Sequence, residues 1–473
     1  MSFSHFARAG VDQFAIVINS FLQRDGLPFS KVLPEELIAR VFAEANVAFA
    51  QDEVNSVYTP AITLWAFLSQ VLFKGEQRSC AAAVSRVIVF LVALGRKPCS
   101  ENTGAYCRAR AKIPTEVVRR LTTDVADAAE MLVPDEWLWN GRHVKLVDGF
   151  TVSLPDTEAN QAEYPQSRSQ QAGVGFPLAR CVVLLSLATG MVADLEIGPY
   201  AGKETGETAL LRNLLHRLRG GDILLADRYY CSYFLIAMLQ SLGIDFVVRL
   251  HQRRTVNFRR GRRLGVGDHI VEWVRPQQPA WMDDATYATI PKSIQVREVA
   301  VKPSYRGCRS RSLVVVTTLL DTTRYPSGEI STLYEKRWLA ELDIRTIKTT
   351  LGFDLLRCTW PEMVRTELWV ALMAYNMIRR TMLDAALAAE VPPRQLSFAH
   401  ALQLTAASWI VTLTAHDQSA AIVAAMIQGM QRPLVGRRPH RVEPRAIKRR
   451  PKPHDILTKP RDEARKELLA ACG

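Results

Sequence analysis

The sequence lacks several patterns that define common protein classes. Its eight cysteines are scattered without a C-x-x-C pair, which argues against a zinc site and against a disulfide framework. No G-x-x-x-x-G-K-[ST] sequence occurs, so nucleotide hydrolysis on a phosphate loop has no support. The longest apolar run, AAAVSRVIVFLVALG, is interrupted by Arg86 and is shorter than the roughly 20 residues of a membrane span.

The amino terminus, MSFSHFARAG, lacks the charged-then-apolar layout of a signal peptide, and we expect a cytoplasmic protein. The composition is globular, and 473 residues suffice for several domains or for one core with large insertions. Positive charge is in excess, with a formal net charge of +13. This charge predicts a polyanionic partner, with nucleic acid as the first candidate and an acidic membrane surface as the second.

Hydrophobic periodicity divides the chain into three regions. Residues 1–135 carry apolar residues at helical spacing and are predicted to form a helical N-terminal DNA-binding domain. Residues 136–390 alternate short apolar strands with helices, which predicts an α/β catalytic domain with a mixed sheet. A basic, β-rich segment at 251–312 interrupts that domain. Residues 391–473 are predicted to be a helical C-terminal region that carries a basic tail.

The tail beyond residue 431 is rich in proline and arginine and contains few acidic residues. Such a segment buries little surface, so we expect it to be extended or disordered until it contacts nucleic acid. The alternative is a tail that only improves solubility. Its basic residues are Arg432, Arg437, Arg438, Arg441, Arg445, Lys448, Arg449, Arg450 and Lys452.

Two aspartates follow short apolar segments that predict buried strands. Asp148 comes after HVKLV, and Asp227 comes after GDILLA. In α/β sheets, functional sites lie at the carboxyl ends of the strands. Aspartates at strand ends are also common turn formers, and Asp148 precedes Gly149, so each aspartate alone is compatible with a simple turn.

A third group of polar residues has helical spacing. Tyr334, Arg337, Glu341 and Lys348 lie in LYEKRWLAELDIRTIKTTLGF, and on one continuous helix their side chains fall within an arc of roughly 60°. A carboxylate flanked by two cations and a phenol suits a site that holds a metal ion and phosphates. A solvated helix face stabilised by ion pairs is the alternative.

If the strands that carry the two aspartates are neighbours, Asp148, Asp227 and Glu341 can converge on one pocket. Three clustered carboxylates repel one another unless cations neutralise them, and Mg²⁺ is a hard ion that prefers oxygen ligands. Two such ions can activate an attacking water or hydroxyl and stabilise the leaving oxygen of a phosphodiester. The three carboxylates are therefore candidate catalytic residues and magnesium ligands.

The segments VKLVDG and DILLADRYY and the pattern in residues 334–348 resemble the three catalytic segments of the DDE transposases of bacterial insertion sequences, in particular the insertion-sequence-four family. SENTGAYCRARAKIP and VEPRAIKRRPKP extend this resemblance over nearly the whole chain. The resemblance implies a ribonuclease H-like mixed-sheet catalytic core with a β-rich insertion between Asp227 and Glu341. It also implies Mg²⁺ with Mn²⁺ as a substitute, and a homodimer or higher assembly on double-stranded DNA.

The resemblance also assigns DNA contacts. Arg337 and Lys348 are expected to contact phosphates near the cut, and Tyr334 is expected to hydrogen-bond a phosphate at the transposon end. Trp338 either stacks on a base or packs as a core aromatic. Relatives that cut through a DNA hairpin carry a further tryptophan on the strand entering this helix, where this chain has Leu313.

The resemblance thus predicts a Mg-dependent DDE transposase, an endonuclease and polynucleotidyl transferase. It would bind the terminal inverted repeats of an insertion sequence, then cleave and transfer strands into target DNA. It would work in the bacterial cytoplasm, on the nucleoid when bound to DNA. Two alternatives are a nuclease with the same core that lacks strand transfer, and a DNA-binding regulator that has lost catalysis. The presence of every predicted site residue argues against the regulator.

Overall fold

The computed structural model describes ten segments of the chain: residues 35–45, 57–58, 60–73, 75–93, 96–302, 313–353, 356–414, 419–432, 434–435 and 457–471. The basic tail residues from Arg437 to Lys452 lie outside these segments, so their contact with DNA stays a prediction.

One mixed sheet organises the described part of the chain. Its nine strands are β1 (Val144–Ser153), β2 (Leu178–Ser186), β3 (Val192–Pro199), β4 (Ile223–Ala226), β5 (Asp245–Arg249), β6 (Arg262–Gly265), β7 (Asp268–Val274), β8 (Ser293–Val301) and β9 (Leu313–Thr317). They lie in the order β3-β2-β1-β4-β5-β9-β8-β7-β6.

Strand direction in this sheet follows the connections between strands. β1, β2 and β3 are consecutive and pair antiparallel, whereas β4 and β5 follow crossover helices and pair parallel to β1 and to each other. β9, β8, β7 and β6 complete the sheet in antiparallel order. The prediction of an α/β fold with a mixed sheet is confirmed.

The α-helices of the described residues surround the sheet and fill the amino- and carboxyl-terminal regions. They are α1 (Glu35–Glu44), α2 (Pro60–Leu72), α3 (Cys80–Ala93), α4 (Thr103–Arg110), α5 (Thr115–Glu130), α6 (Glu158–Glu163), α7 (Glu207–Leu214), α8 (Tyr233–Ser241), α9 (Asp284–Thr289), α10 (Ser327–Glu335), α11 (Trp338–Arg345), α12 (Pro361–Ala388), α13 (Phe398–Thr414), α14 (Ser419–Gln431) and α15 (Arg461–Ala471). Within these segments no helix combines the length and the apolar character needed to cross a membrane.

The sheet has a hydrophobic core on each face, because side chains alternate along a strand. In β1, Val144 and Leu146 belong to one core and Val147 belongs to the other. The first core includes α5 and α12, and the second includes α7 and α8. Both faces of the central strands are therefore buried.

Three strands lie in the segment predicted to be β-rich, and they extend the main sheet through the pairing of β8 with β9. Arg297 of β8 is buried, and its Nε and Nη2 donate to the Asp268 carboxylate at 2.8 and 2.6 Å. Its Nη1 donates to the carbonyl of Tyr325 at 2.7 Å. The insertion thereby holds the segment that leads into α10. The domain boundaries proposed from the sequence stay a prediction.

Candidate active site

Asp148 and Asp227 belong to neighbouring parallel strands. The register of β1 and β4 pairs Leu146 with Leu225, and the same offset of 79 residues relates Asp148 to Asp227. β4 ends at Ala226, so Asp227 directly follows its strand as predicted. The two carboxylates therefore leave the sheet side by side.

Asp148 departs from its predicted position at a strand end. HVKLV and the following FTVSL form one strand, β1, and Asp148 is its fifth residue. β1 continues because it pairs antiparallel with β2 along its whole length, with Asp148 opposite Val183. β4, the parallel partner of β1, ends at Ala226, so Asp148 has no strand residue of β4 beside it. This leaves its carboxylate partly exposed.

The two aspartates are oriented in the same way by the backbone. The N–H of Gly149 donates to Asp148 Oδ1 at 2.8 Å, and the N–H of Arg228 donates to Asp227 Oδ1 at 2.6 Å. Each bond holds one carboxylate oxygen against the chain. The other oxygen of Asp148 faces the cation described next.

Arg337 lies between the carboxylates. Its Nη2 donates to Glu341 Oε1 at 2.8 Å, and its Nη1 is 3.8 Å from Asp148 Oδ2. Burial lowers the pKa of Arg337, but the hydrogen bond to Glu341 and the nearby charges of Asp227 and Glu341 raise it above its ordinary value. The structure therefore brings the three predicted carboxylates around a single cation. The first and the last of them, Asp148 and Glu341, are 193 residues apart in the sequence.

The helix that carries the predicted stripe is not continuous. α10 ends at Glu335 and α11 begins at Trp338, and between them the N–H groups of Lys336 and Arg337 bond to the carbonyls of Leu333 and Tyr334. Such i to i−3 bonds overwind the chain. A π-helical turn at Thr346–Thr350 then underwinds it. The prediction of one continuous helix is therefore wrong, and with it the premise of the 60° arc.

The remaining predicted DNA contacts separate into buried and exposed side chains. Tyr334 is buried and lies close to Arg337 and Asp227; burial raises the pKa of its hydroxyl. Lys348 Nζ donates to the carbonyl of Thr151 in β1 at 3.0 Å. Trp338 is 45% exposed, which excludes the alternative that it is a core aromatic.

Burial raises the pKa of Asp148 to about 6. The Gly149 N–H and Arg337 lower it, whereas the charges of Glu207 and Glu341 raise it further. The carboxylate carries a desolvation cost that the neighbouring cation only partly offsets. A perturbed acid beside the carboxyl end of a parallel strand is typical of a functional site.

Comparison with known proteins decides the family. Residues 139–377, half of the chain, match the family model described as Transposase DDE domain. The chain belongs to the DDE transposase family. The matched segment contains β1, β4 and α11, so all three candidate carboxylates lie inside it.

Two curated relatives agree with this family. The transposase is 26% identical over 369 residues, 77% of its length and 79% of the relative's, to transposase InsG for insertion sequence element IS4 of Escherichia coli (strain K12). It is 26% identical over 208 residues to the putative transposase y4zB of Sinorhizobium fredii (strain NBRC 101917 / NGR234), over 43% of this chain and 50% of that relative. The resemblance to the insertion-sequence-four family is thereby confirmed.

Among solved structures, the transposase is similar to the piggyBac transposase in a cryo-EM structure of its synaptic complex with hairpin DNA. The likeness covers 86% of each chain with a TM-score of 0.44 and 10% identity. A likeness at this level is too weak to support a conclusion about either fold or function.

DDE transposase domains generally use a divalent metal, and the donor set at this site suits one. The three candidate side chains offer only carboxylate oxygens, which hard divalent cations prefer. In the described part of the transposase, however, no three His, Cys, Asp or Glu side chains are grouped closely enough to hold a metal ion. Arg337 supplies the positive charge between them, so metal binding requires that this guanidinium leave its carboxylate partners.

Two site residues were not predicted from the sequence. Glu207, the first residue of α7, lies near Asp227, and Tyr230 lies three residues after that aspartate. The only sequence signal for Glu207 was its place in an acidic first helical turn, which the helix dipole explains equally well. Its proximity to the aspartates depends on the packing of α7 against β2 and β3.

A second unpredicted feature fixes the position of α11. Asp343, two residues beyond Glu341, is buried and accepts hydrogen bonds from Arg379 of α12 at 2.7 Å and from Arg394 at 2.8 Å. Arg394 also donates to the carbonyl of Ser186 at the end of β2. Glu341 is therefore held relative to the sheet by a buried charged cluster rather than by its own contacts alone.

Proposed function

We propose that this transposase binds the terminal inverted repeats of an insertion sequence and catalyses metal-dependent strand cleavage and strand transfer. The observation that carries the proposal is the convergence of Asp148, Asp227 and Glu341 on Arg337. Two aspartates oriented by backbone N–H groups and a glutamate on an anchored helix would supply the oxygen ligands once Arg337 has left them.

We expect Mg²⁺ as the cofactor, with Mn²⁺ as a substitute, held by the three carboxylates. When bound, such ions activate a water or hydroxyl and stabilise the leaving oxygen of a phosphodiester. The chain's own contribution is orientation: the Gly149 and Arg228 N–H groups each hold one oxygen of an aspartate. Arg337, once released from its carboxylates, offers a forked guanidinium to a phosphate of the DNA.

The side chains beside the carboxylates supply the DNA contacts of this proposal. Lys348 Nζ donates to the carbonyl of Thr151, three residues beyond Asp148, and would contact a phosphate near the cut. Tyr334 borders Arg337 and would hydrogen-bond a phosphate at the transposon end. Trp338 is exposed beside this group and can stack on a base.

The wider architecture in this proposal is that of the family. The core is ribonuclease H-like, which the three antiparallel strands followed by two parallel strands support. The helical region before residue 136 and the basic tail grip double-stranded DNA, and the protein acts as a homodimer or higher assembly on the transposon ends. The net charge of +13 supports a salt-sensitive grip on this polyanion.

A strand-transfer assay with the full chain tests the proposal. Labelled duplexes that end in the terminal repeat of the element are incubated with Mg²⁺ and a supercoiled plasmid, and labelled joined products are expected. Asp148→Ala, Asp227→Ala and Glu341→Ala should each abolish cleavage and leave binding to the ends intact. Asp156→Ala is the matched control, because Asp156 is an exposed aspartate that follows β1 and lies outside the site.

The outcomes separate the alternatives. Cleaved but unjoined ends would indicate a nuclease without strand transfer. Binding without cleavage by the unaltered protein would indicate a regulator. Cleavage retained by any one of the three carboxylate variants would contradict the assignment of that residue.

A further inference from the structure

An open pocket lies beyond the carboxyl ends of β4 and β5, next to the candidate active site. The two strands are parallel neighbours, and the segments that follow them supply most of the residues that line the pocket. Tyr229, two residues after Asp227, and His251, two residues after the end of β5, both line it. In α/β sheets, ligands bind in the crevice outside the carboxyl ends of parallel strands. This place and a volume of about 390 Å³ make the pocket a candidate binding site.

The charge of the pocket selects an anion. Arg253, Arg254 and His251 line it, and none of the described residues that line it is acidic. Within the described segments, neither arginine forms a salt bridge with a carboxylate. Positive charge that no neighbouring carboxylate neutralises attracts a negatively charged ligand.

The cations of the pocket are held in place. The backbone N–H of Arg253 donates to Nδ1 of His251 at 3.2 Å, and that of Arg254 donates to the His251 carbonyl at 2.9 Å. Because Nδ1 accepts a hydrogen bond, the neutral ring carries its proton on Nε2, which is left to donate. The guanidinium of Arg254 stacks on the ring of buried Trp273, 3.7 Å from its centroid. A guanidinium that is fixed in this way is oriented for a forked contact with a phosphate.

Tyr229 adds an exposed aromatic surface beside these cations. Its side chain is 58% exposed, and its ring lies edge-on to that of buried Tyr230, with 6.3 Å between the centroids. Proteins that bind single-stranded nucleic acid combine the same two elements: cations that hold the phosphates and exposed rings on which bases stack. The pocket therefore fits a nucleotide.

The pocket lies on the opposite face of the sheet from the helix predicted to hold the transposon end. Cys231 and Tyr233 of the pocket belong to the core that includes α7 and α8, whereas Tyr334 of α10 belongs to the core that includes α5 and α12. Two residues of extended chain span at most about 7 Å. Neighbouring phosphates of one DNA strand are about 3.4 Å apart along the axis. Tyr229 therefore lies within a few nucleotides of a phosphodiester held at Asp227.

We propose that this pocket binds one unpaired nucleotide of the DNA beyond the cut, on the side of the scissile phosphate away from the transposon end. The phosphate contacts His251, Arg253 and Arg254, and the base stacks on Tyr229. During cleavage this DNA is the flanking donor sequence, and during strand transfer it is the target. The inference rests on the proposed function, because it needs a transposon end to be held at the carboxylates.

Binding of DNA with and without a flank tests the inference, in the absence of metal ions so that no strand is cut. One duplex stops at the last base pair of the terminal repeat, and the other continues into a flank whose first bases are unpaired. By fluorescence anisotropy, Tyr229→Ala should weaken binding of the flanked DNA about fivefold or more. Arg253→Gln should weaken it too, whereas binding of the flush duplex should not change in either variant.

Two further variants control these measurements. Tyr229→Phe keeps the ring and should bind the flanked DNA as the unaltered protein does. Arg219→Gln removes the same charge as Arg253→Gln from an exposed side chain that precedes β4, at the other end of the strand from the pocket, and should leave binding unchanged.

An abasic nucleotide in the flank identifies the base that stacks on Tyr229. Removal of that base should weaken binding by the unaltered protein as much as Tyr229→Ala does, and should weaken binding by Tyr229→Ala no further. Two assays below saturation then separate the sources of the DNA. A loss in cleavage of flanked duplexes assigns the pocket to the donor flank, and a loss in joining of flush ends to a plasmid assigns it to the target. A loss in neither would overturn the inference.

Tyr229 and Arg253 are exposed, so their variants are expected to fold, and thermal unfolding checks this. Unchanged binding of flanked DNA by both variants would overturn the inference and leave the proposed function intact. Equal weakening on the flush duplex would also overturn it, because the pocket would then contact the transposon end. Equal weakening in Arg219→Gln would do the same, because the effect would be one of net charge. Failure of the unaltered protein to bind either duplex would contradict the proposed function as well.

Discussion

Arg379 Nη2 donates a 2.7 Å hydrogen bond to Asp343 Oδ1, and both side chains are buried. Arg394 donates to the other oxygen of Asp343. Two arginines that follow α11 in the sequence therefore hold the helix that carries Glu341. Since α12 also packs on the sheet, this bond links the third carboxylate to the strands of the other two.

Loss of this link should destabilise the protein. Asp343→Asn leaves the buried guanidinium group of Arg379 and the partly buried one of Arg394 without a charged partner, and we expect the free energy of unfolding to fall by about 3 kcal/mol. Denaturant unfolding measures the change. Glu44→Gln, which breaks an exposed pair with Arg120, is the control and should cost at most about 1 kcal/mol. Similar values for the two variants would show that Asp343 does not anchor α11.

The stability of the metal-free protein should depend on Asp148. Its pKa of about 6 in the folded protein exceeds the ordinary value of 3.8, so the protonated form favours folding. This stabilisation is complete below pH 3.8 and is lost as the pH rises through 6. Asp148→Asn should therefore be the more stable protein above pH 6, by about 1–2 kcal/mol, given that a fifth of the side chain is exposed. Thermal unfolding between about pH 5 and pH 8 measures the difference, and Asp156→Asn is the control.

An advantage of Asp148→Asn that is the same at both ends of this pH range would contradict the prediction. It would mean that packing of the amide, and not ionisation of the acid, sets the stability difference.

Arg337 should compete with metal ions for the carboxylates. Arg337→Gln removes the cation from between Asp148 and Glu341, so Mn²⁺ affinity without DNA should rise, by about threefold or more. Affinity for DNA ends should fall in the same variant, because glutamine cannot offer a forked cation to a phosphate. Titration calorimetry and a DNA-binding assay measure the two effects. Arg345→Gln, an exposed arginine of the same helix, is the control for net charge. A fall in Mn²⁺ affinity would contradict the competition.

Exposed Trp338 should contribute to DNA binding and not to folding. Base–aromatic stacking is worth about 1–3 kcal/mol, so Trp338→Ala should weaken binding to transposon ends by roughly fivefold or more, and Trp338→Phe should weaken it less. Thermal stability should stay unchanged, because the side chain is 45% exposed. Trp360→Ala is a matched control, since Trp360 is also exposed, at 66%, and lies outside the site. A loss of stability without a loss of affinity would rule out the stacking role.

The basic tail should act through electrostatics. Replacing Arg437, Arg438, Arg441 and Arg449 with glutamine should weaken DNA binding most at low salt and make the dependence of affinity on salt shallower. The slope of log K against log salt should fall by about 0.9 for every phosphate that the variant no longer neutralises. Fluorescence anisotropy at several salt concentrations measures the slope, and the variants should converge with the unaltered protein at high salt. An unchanged slope would assign the tail to solubility.

Local patterns in the chain were enough to predict many individual elements. GDILLA is largely apolar and preceded by turn residues, so both β4 and the position of Asp227 after it could be predicted. IQVREVAV lies in the segment predicted to be β-rich, and it forms β8. These predictions succeed because strand formation depends on short-range periodicity and on burial of both faces.

Other features depended on partners that are distant in sequence. Asp148 is inside a strand because β1 pairs with β2 on both sides of Asp148. The residues around Asp148 and Gly149 do not indicate this pairing, because β2 lies about 30 residues further along the chain. The break between α10 and α11 and the π-helical turn at Thr346–Thr350 contain neither proline nor glycine, so no helix-breaking residue marks them.

The amino-acid sequence by itself determined many of the strands and helices, the positive charge and the residue types of the candidate site. Only the tertiary structure decided that Arg337 lies between Asp148 and Glu341, that Glu207 lies near Asp227, and that Asp343 anchors α11. The physical reason is distance along the chain. Periodicity depends on neighbours a few residues apart. The meeting of charged side chains depends on strand register and helix packing between segments that are as many as 193 residues apart.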